Sequence, residues 1–263
     1  MNYVQLLDST LREGRQCELC NYIVGKESKF LKLINELGIE FAEINHPYSS
    51  SYDLKTFRNL RKLKLQTEVS IHTGSNIDDL KLLINEGVKK IGTFVKGDNI
   101  FQLVDEASHL LALASENNIK VRISLESAFA KSKKDISIFF NRIQNYKSLQ
   151  TISLSDSNGV CTPDLINDVL PLLDKNIKKS IPIELHFHND LGLAAANCYQ
   201  SILVAERIKR KIILSISLKG MGERNGILSY GDAFSMLYML YKQEFTKRYK
   251  TKIYGKICKL IYP

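Results

Sequence analysis

The chain has 263 residues, of which 44% are hydrophobic and 25% charged, which is enough to bury one large core without disulfide or metal staples. No window approaches the roughly 20 consecutive apolar residues of a membrane-spanning helix. The formal net charge is +9; without a recognisable nucleic-acid module this points to small anionic, phosphate-bearing ligands rather than to nucleic acid. The opening MNYVQLLDSTLREG has neither a basic-then-apolar signal nor an Arg/Ser-rich presequence, so a cytoplasmic location is expected. Cys17, Cys20, Cys161, Cys198 and Cys258 form an odd set, expected as reduced thiols. The Cys17/Cys20 pair has the C-x-x-C spacing of a zinc or redox motif, but no second pair at finger spacing accompanies it, and it reads as coincidental.

Eight short apolar runs follow one another at 3–7, 39–44, 67–71, 90–95, 120–124, 151–154, 181–185 and 212–218. Helical patterns fill the gaps. Over 26–37 the apolar positions Phe30, Leu31, Leu33, Ile34 and Leu37 share one face, and Gly38 stops the helix. A second such pattern covers 78–86 and ends at Gly87, and Thr162-Pro163 supplies a capping hydroxyl and a first-turn proline. Strands alternating with helices pair in parallel through right-handed crossovers, and eight units fit a closed (β/α)8 TIM barrel, a single α/β domain over 1–245. An open doubly wound sheet is the alternative, but no G-x-G-x-x-G follows the first strand. Residues 246–263 carry Lys247, Arg248, Lys250, Lys252, Lys256 and Lys259 and no acid, and are expected as a basic C-terminal tail.

In such a barrel the chemistry is built at the carboxyl ends of the strands. Asp8 to Gly14 follows the first run, His186 to Asp190 the seventh, and Gly220 to Gly226 the eighth. The third, fifth and sixth end in His72, in Arg122, Ser124 and Glu126, and in Ser155 to Ser157. Residues two apart on a strand face the same way, so His186 and His188 can reach one ion. The first strand lies near the seventh across the closure, and Glu13 would complete a two-histidine, one-carboxylate set with positions open for substrate and water. Hydrogen-bonded polar residues lining the mouth are the other reading of the same spacing.

The ordered motifs DSTLREG, HFHND and GMGERNG, spanning roughly 3–240, resemble the metal-dependent Claisen-condensing and lyase barrel family. That family includes isopropylmalate synthase, homocitrate synthase, citramalate synthase and HMG-CoA lyase. REG and GERNGI are most similar to homocitrate synthase, whereas HNDLGLAAAN is as close to the isopropylmalate branch. The resemblance implies a divalent ion, Mg2+, Mn2+ or Zn2+, held by Glu13, His186 and His188. It implies that Arg12 stabilises negative charge on the substrate oxygen, and that Glu126 takes part in proton transfer. His72, Arg122, Ser124 and Ser157 would contact a 2-oxo acid, with acetyl-CoA as co-substrate; Ser157 stands where a threonine is usual. A homodimer is expected. Synthases of the family continue past the barrel into a region from which a partner subunit supplies a histidine and a tyrosine, and no such region is expected here. Arg15 replaces a glutamate frequent in REGEQ. A condensing acyltransferase therefore leads. A metal-dependent aldolase or lyase, and a non-catalytic metal- or ligand-binding paralogue, stay open beside it.

Overall fold

A computed structural model describes residues 1–16 and 23–261; Cys17 and Cys20 lie outside the described residues. Eight strands form one closed, wholly parallel ring in chain order. They are β1 Val4–Asp8, β2 Phe41–Ile44, β3 Glu68–Thr73, β4 Lys90–Val95, β5 Lys120–Leu125, β6 Leu149–Asp156, β7 Ile183–Phe187 and β8 Ile212–Ile216. Closure is made by β1 against β8, in register from Val4 opposite Ile212 to Asp8 opposite Ile216. The expected (β/α)8 barrel is the observed fold.

One helical turn, α1 (Thr10–Glu13), follows β1. The outer layer is α2 Glu27–Leu37, α3 Ser51–Leu60, α4 Ile77–Asn85, α5 Ile100–Glu116, α6 Lys133–Ile143, α7 Pro163–Asn176, α8 Ala194–Ile208 and α9 Tyr230–Arg248. Each presents a buried apolar stripe to the strands. On α2 this is Phe30, Leu31, Ile34 and Leu37, and Gly38 ends the helix at φ 98°. Thr162 caps α7 by accepting from Leu165 N at 3.4 Å, with Pro163 in the first turn. No helix among the described residues is long and apolar enough to cross a membrane.

Every strand but β4 differs from the sequence reading by one or two residues at an end, and the differences in β7 and β8 bear on the site. The seventh strand starts two residues later than expected, because Pro182 has no N–H to donate to the ladder. The strand also ends two residues later, at Phe187, so His186 lies within β7 rather than beyond it. The eighth ends at Ile216, because Leu218 already opens a 3-10 turn, Leu218–Gly220.

Of residues 246–263, those after the end of α9 include a further helix, α10 (Lys252–Ile261). It packs along α2 with Ile257 and Ile261 buried and Lys252, Lys256 and Lys259 exposed. Lys26 Nζ donates to Leu260 O at 2.9 Å. At the opposite end of α10, Arg248 Nη1 donates to Val4 O at 2.8 Å and approaches Glu40 Oε1 at 3.2 Å, tying this region to the amino ends of β1 and β2.

The carboxyl end of β1 is anchored from the other side. Asp8 is fully buried, and its Oδ2 accepts from Thr10 Oγ1 and from Tyr230 of α9, both at 2.7 Å. Burial raises Asp8 to about 6 from 3.8, with the hydroxyl donors only partly opposing it. A carboxyl whose pKa rises on folding stabilises the fold at low pH, and that contribution disappears as pH climbs through the folded value. Between pH 4 and pH 6 the protein should therefore lose stability relative to Asp8→Asn by about 2 kcal/mol. Urea unfolding of both proteins across that range measures it. Parallel pH profiles would remove Asp8 as the source.

Candidate active site

Glu13 reaches the barrel mouth because α1 begins immediately after β1. Ser9 N donates to Ile216 O at 2.9 Å, which fixes the strand end to β8, and the single helical turn then directs Arg12 and Glu13 inward. On the other side of β8, β7 delivers His186, and His188 lies just beyond it. The Glu13, His186 and His188 side chains are buried, and their ligand atoms all lie within 4.8 Å of one another. His186 Nε2 stands 3.2 Å from Glu13 Oε1.

The loop after β8 holds this corner together. His188 bridges to Ile227, and Asn189 N donates to Gly226 O at 2.9 Å. Arg224 grips Asp190 with two hydrogen bonds, at 2.8 and 3.0 Å, and donates to Ser157 O at 2.8 Å. It thereby joins the loops after β6, β7 and β8. Gly226 is required in this loop: its φ is +73°, and a Cβ there would overlap the Gly220 carbonyl.

The corner has the chemistry of a cation site. Burial opposes ionisation of Glu13, but Arg12, His186 and His188 outweigh it and bring the carboxyl down to about 2. Burial and the adjacent His186 push His188 to about 4, so its imidazole is neutral and has a lone pair to offer. Neither Glu13 oxygen, nor His188 Nδ1, has a hydrogen-bond partner of good geometry among the described residues. An ionised carboxylate and the neutral His188 imidazole, buried and under-satisfied, with the His186 ring beside them, suit a divalent ion with further coordination positions left open.

Beneath the corner runs a chain of buried charges. Arg12 places Nη2 at 2.5 Å from Glu13 Oε1 and Nε at 2.7 Å from Glu43 Oε2. Glu43, fully buried in β2, also pairs with Arg122 of β5 and approaches His72 Nδ1 at 3.3 Å. Arg122 continues to Glu184 of β7 at 3.0 Å and donates to Ser124 Oγ at 3.0 Å; Ser215 Oγ donates to Glu184 at 2.5 Å. Burial works against the Glu43 charge, yet Arg122, His72 and Arg12 hold its carboxyl well below the usual range. Desolvation likewise works against Arg122, and Glu43 and Glu184 raise it nonetheless. Burial lowers His72 despite Glu43. Gly92 of β4 makes room for this layer, because a Cβ there would collide with Glu43 and Arg122.

Above the layer lies an open cavity of about 830 Å³, and every residue singled out by sequence lines it: Arg12, Glu13, His72, Arg122, Ser124, Glu126, Ser157, His186 and His188. Glu126 is half-buried and unpaired among the described residues, whereas Ser157 Oγ accepts from Ser127 N at 3.2 Å. The sequence reading missed Phe94 and Lys96, which line the cavity, and Glu43 and Glu184, which support it. A usable signal existed for the last two. Each is a lone carboxylate inside an apolar strand run, FAEI and IELHF, a placement that is costly unless a cation meets it in the interior.

The chain is similar to known proteins over most of its length. The chain is 26% identical over 260 residues to a mitochondrial homocitrate synthase of Schizosaccharomyces pombe, covering 95% of this chain and 60% of that protein. It is 26% identical over 270 residues to a homocitrate synthase of Pyrococcus abyssi, covering 97% and 70%. The chain thus spans about three-fifths of the length of the fungal relatives it matches. In architecture it superposes on the HMG-CoA lyase of Brucella melitensis with a TM-score of 0.72 at 13% identity, covering 97% of both chains. The model of the HMGL-like family matches residues 3–261, and the chain belongs to that family.

Proposed function

We propose that this barrel is an acyl-CoA:2-oxo acid condensing transferase, acting with a divalent metal held by Glu13, His186 and His188. The convergence of those three side chains on one point beside Arg12 is the observation that carries the reading. The homocitrate synthases among its relatives favour condensation over the lyase direction. A divalent ion at this corner, whether Mg2+, Mn2+ or Zn2+, would supply Lewis acidity to the ketone of the 2-oxo acid.

The chain's own residues then divide the work. Arg12 is fixed between Glu13 and Glu43 and is only partly exposed, so its guanidinium is already oriented where negative charge develops on the ketone oxygen. His72, Arg122, Ser124 and Ser157 bind and orient the 2-oxo acid across the cavity. Glu126 lies on the same wall with a carboxylate free for proton transfer. Removal of a proton from the acetyl methyl group of acetyl-CoA lets that carbon attack the ketone carbon. The new carbon–carbon bond leaves a hydroxyl at the former ketone, and water releases the CoA thiol. A homodimer in the cytoplasm belongs to the same reading.

Purified protein supplied with Mg2+, Mn2+ or Zn2+, acetyl-CoA and a panel of 2-oxo acids should release free thiol only when metal and a particular oxo acid are both present. Cleavage of hydroxyacyl-CoA substrates without such release would favour the lyase. Silence in both directions would favour a non-catalytic paralogue. Arg12→Lys should fold and bind metal normally yet lose about 100-fold or more in kcat, because a point charge cannot span Glu13, Glu43 and the substrate oxygen together. Near-normal turnover would contradict the role given to Arg12.

A further inference from the structure

A second cavity, of about 410 Å³, enters the barrel from the opposite side, at the amino ends of the strands. Among the described residues it shares only Arg122 with the cavity above, so the layer Glu43–Arg122–Glu184 separates the two. Leu7, Phe41 and Ile213 give it an apolar wall. Its size is within the roughly 300–1,000 Å³ of small-ligand sites.

Two lysines line the other wall. Lys90 of β4 and Lys120 of β5 stand opposite each other in register, and paired residues of parallel strands face the same side. Lys90 is ion-paired with Glu68 of β3. An ammonium carries three N–H groups, more than one carboxylate satisfies, and Lys90 Nζ is shut off from solvent without a hydrogen bond of good geometry. Burial and the Lys120 charge lower Lys90 to about 8. The Lys120 side chain is exposed and has no ion-pair or hydrogen-bond partner among the described residues. Like charges side by side on neighbouring strands repel, and Glu68 balances only one of them.

The neighbouring strand is shaped to the same cavity. Pairing between β5 and β6 steps from Val121 opposite Leu149 to Arg122 opposite Thr151, so Gln150 is an extra residue in β6. Successive residues of a regular strand face opposite ways, and a bulge of this kind re-aims a side chain. Here Gln150 and Thr151 both line the cavity, and neither side chain has a hydrogen-bond partner among the described residues.

We infer that the amino end of the barrel holds a second ligand site, which binds a phosphoryl group between Lys90, Lys120, Gln150 and Thr151. Two ammonium groups, an amide and a hydroxyl offer more donors than the two oxygens of a carboxylate accept, whereas a tetrahedral oxyanion can meet them all. The site is independent of the reaction proposed above.

The test is calorimetric titration of the full chain, with Mg2+ present throughout and at constant ionic strength, using inorganic phosphate and glycerol 3-phosphate as probes. Phosphate should bind saturably. Lys120→Ala should weaken it about tenfold, the scale of one charge-assisted contact, and Lys120→Arg should retain most of the affinity. Lys96→Met removes the same charge from the cavity above and should leave phosphate affinity unchanged. Tighter binding of glycerol 3-phosphate, equally sensitive to Lys120, would identify the ligand as a phosphomonoester; weaker binding would identify it as free phosphate. Absence of saturable phosphate binding, or unchanged affinity in Lys120→Ala, would overturn the site. Equal losses in Lys120→Ala and Lys96→Met would reduce it to general charge attraction and overturn it as well.

Discussion

The barrel mouth is organised by one continuous run of buried charge, Glu13 to Arg12 to Glu43 to Arg122 to Glu184. Taking a single ion of this kind out of water costs several kcal/mol, and the cost is offset only where opposite charges alternate in good geometry. Each member therefore fixes its neighbours. Arg12 cannot swing away without stranding two carboxylates, and Glu43 cannot be neutral while Arg122, His72 and Arg12 surround it. Three carboxylates against two guanidinium groups leave one negative charge in excess. The Glu13 end, where two imidazoles converge, is where a cation would offset it.

That layer also explains features that otherwise read as unrelated. Gly92 is small because the Glu43–Arg122 pair occupies the space its side chain would need. Arg224 binds loops after three different strands, which holds His188 and Ser157 in place although Arg224 itself is not among the residues lining the cavity. The paired charges lie on the strands and the cavity opens among the loops, a division common to barrels in which strands fix the floor and loops form the rim.

Most of the architecture was legible in the sequence because each apolar strand run is separated from the next by a helix-length segment, two of them closed by a glycine, Gly38 and Gly87. The nine candidate residues were legible because barrel chemistry collects at strand ends, so position alone narrowed the search. What escaped has a physical reason in each case. Glu43 and Glu184 are supporting residues buried inside strands, and strand patterning registers their apolar neighbours first. Lys96 looks like any surface lysine until the closed ring sets it opposite the histidines. The start of β7 was displaced because Pro182 interrupts hydrogen bonding without interrupting hydrophobicity. The lysines near the C-terminus gave only a charge count; that Ile257 and Ile261 between them dock α10 on α2 depends on a partner surface supplied by the first helix of the outer layer.

The central claim is that one divalent ion is shared by Glu13, His186 and His188. Crystals grown with Zn2+ and measured across the zinc absorption edge test it most directly. The account predicts one strong anomalous peak within about 2.0–2.2 Å of a Glu13 oxygen and of one nitrogen from each histidine. No peak at that corner, or a peak held by other side chains while these three stay apart, would contradict it.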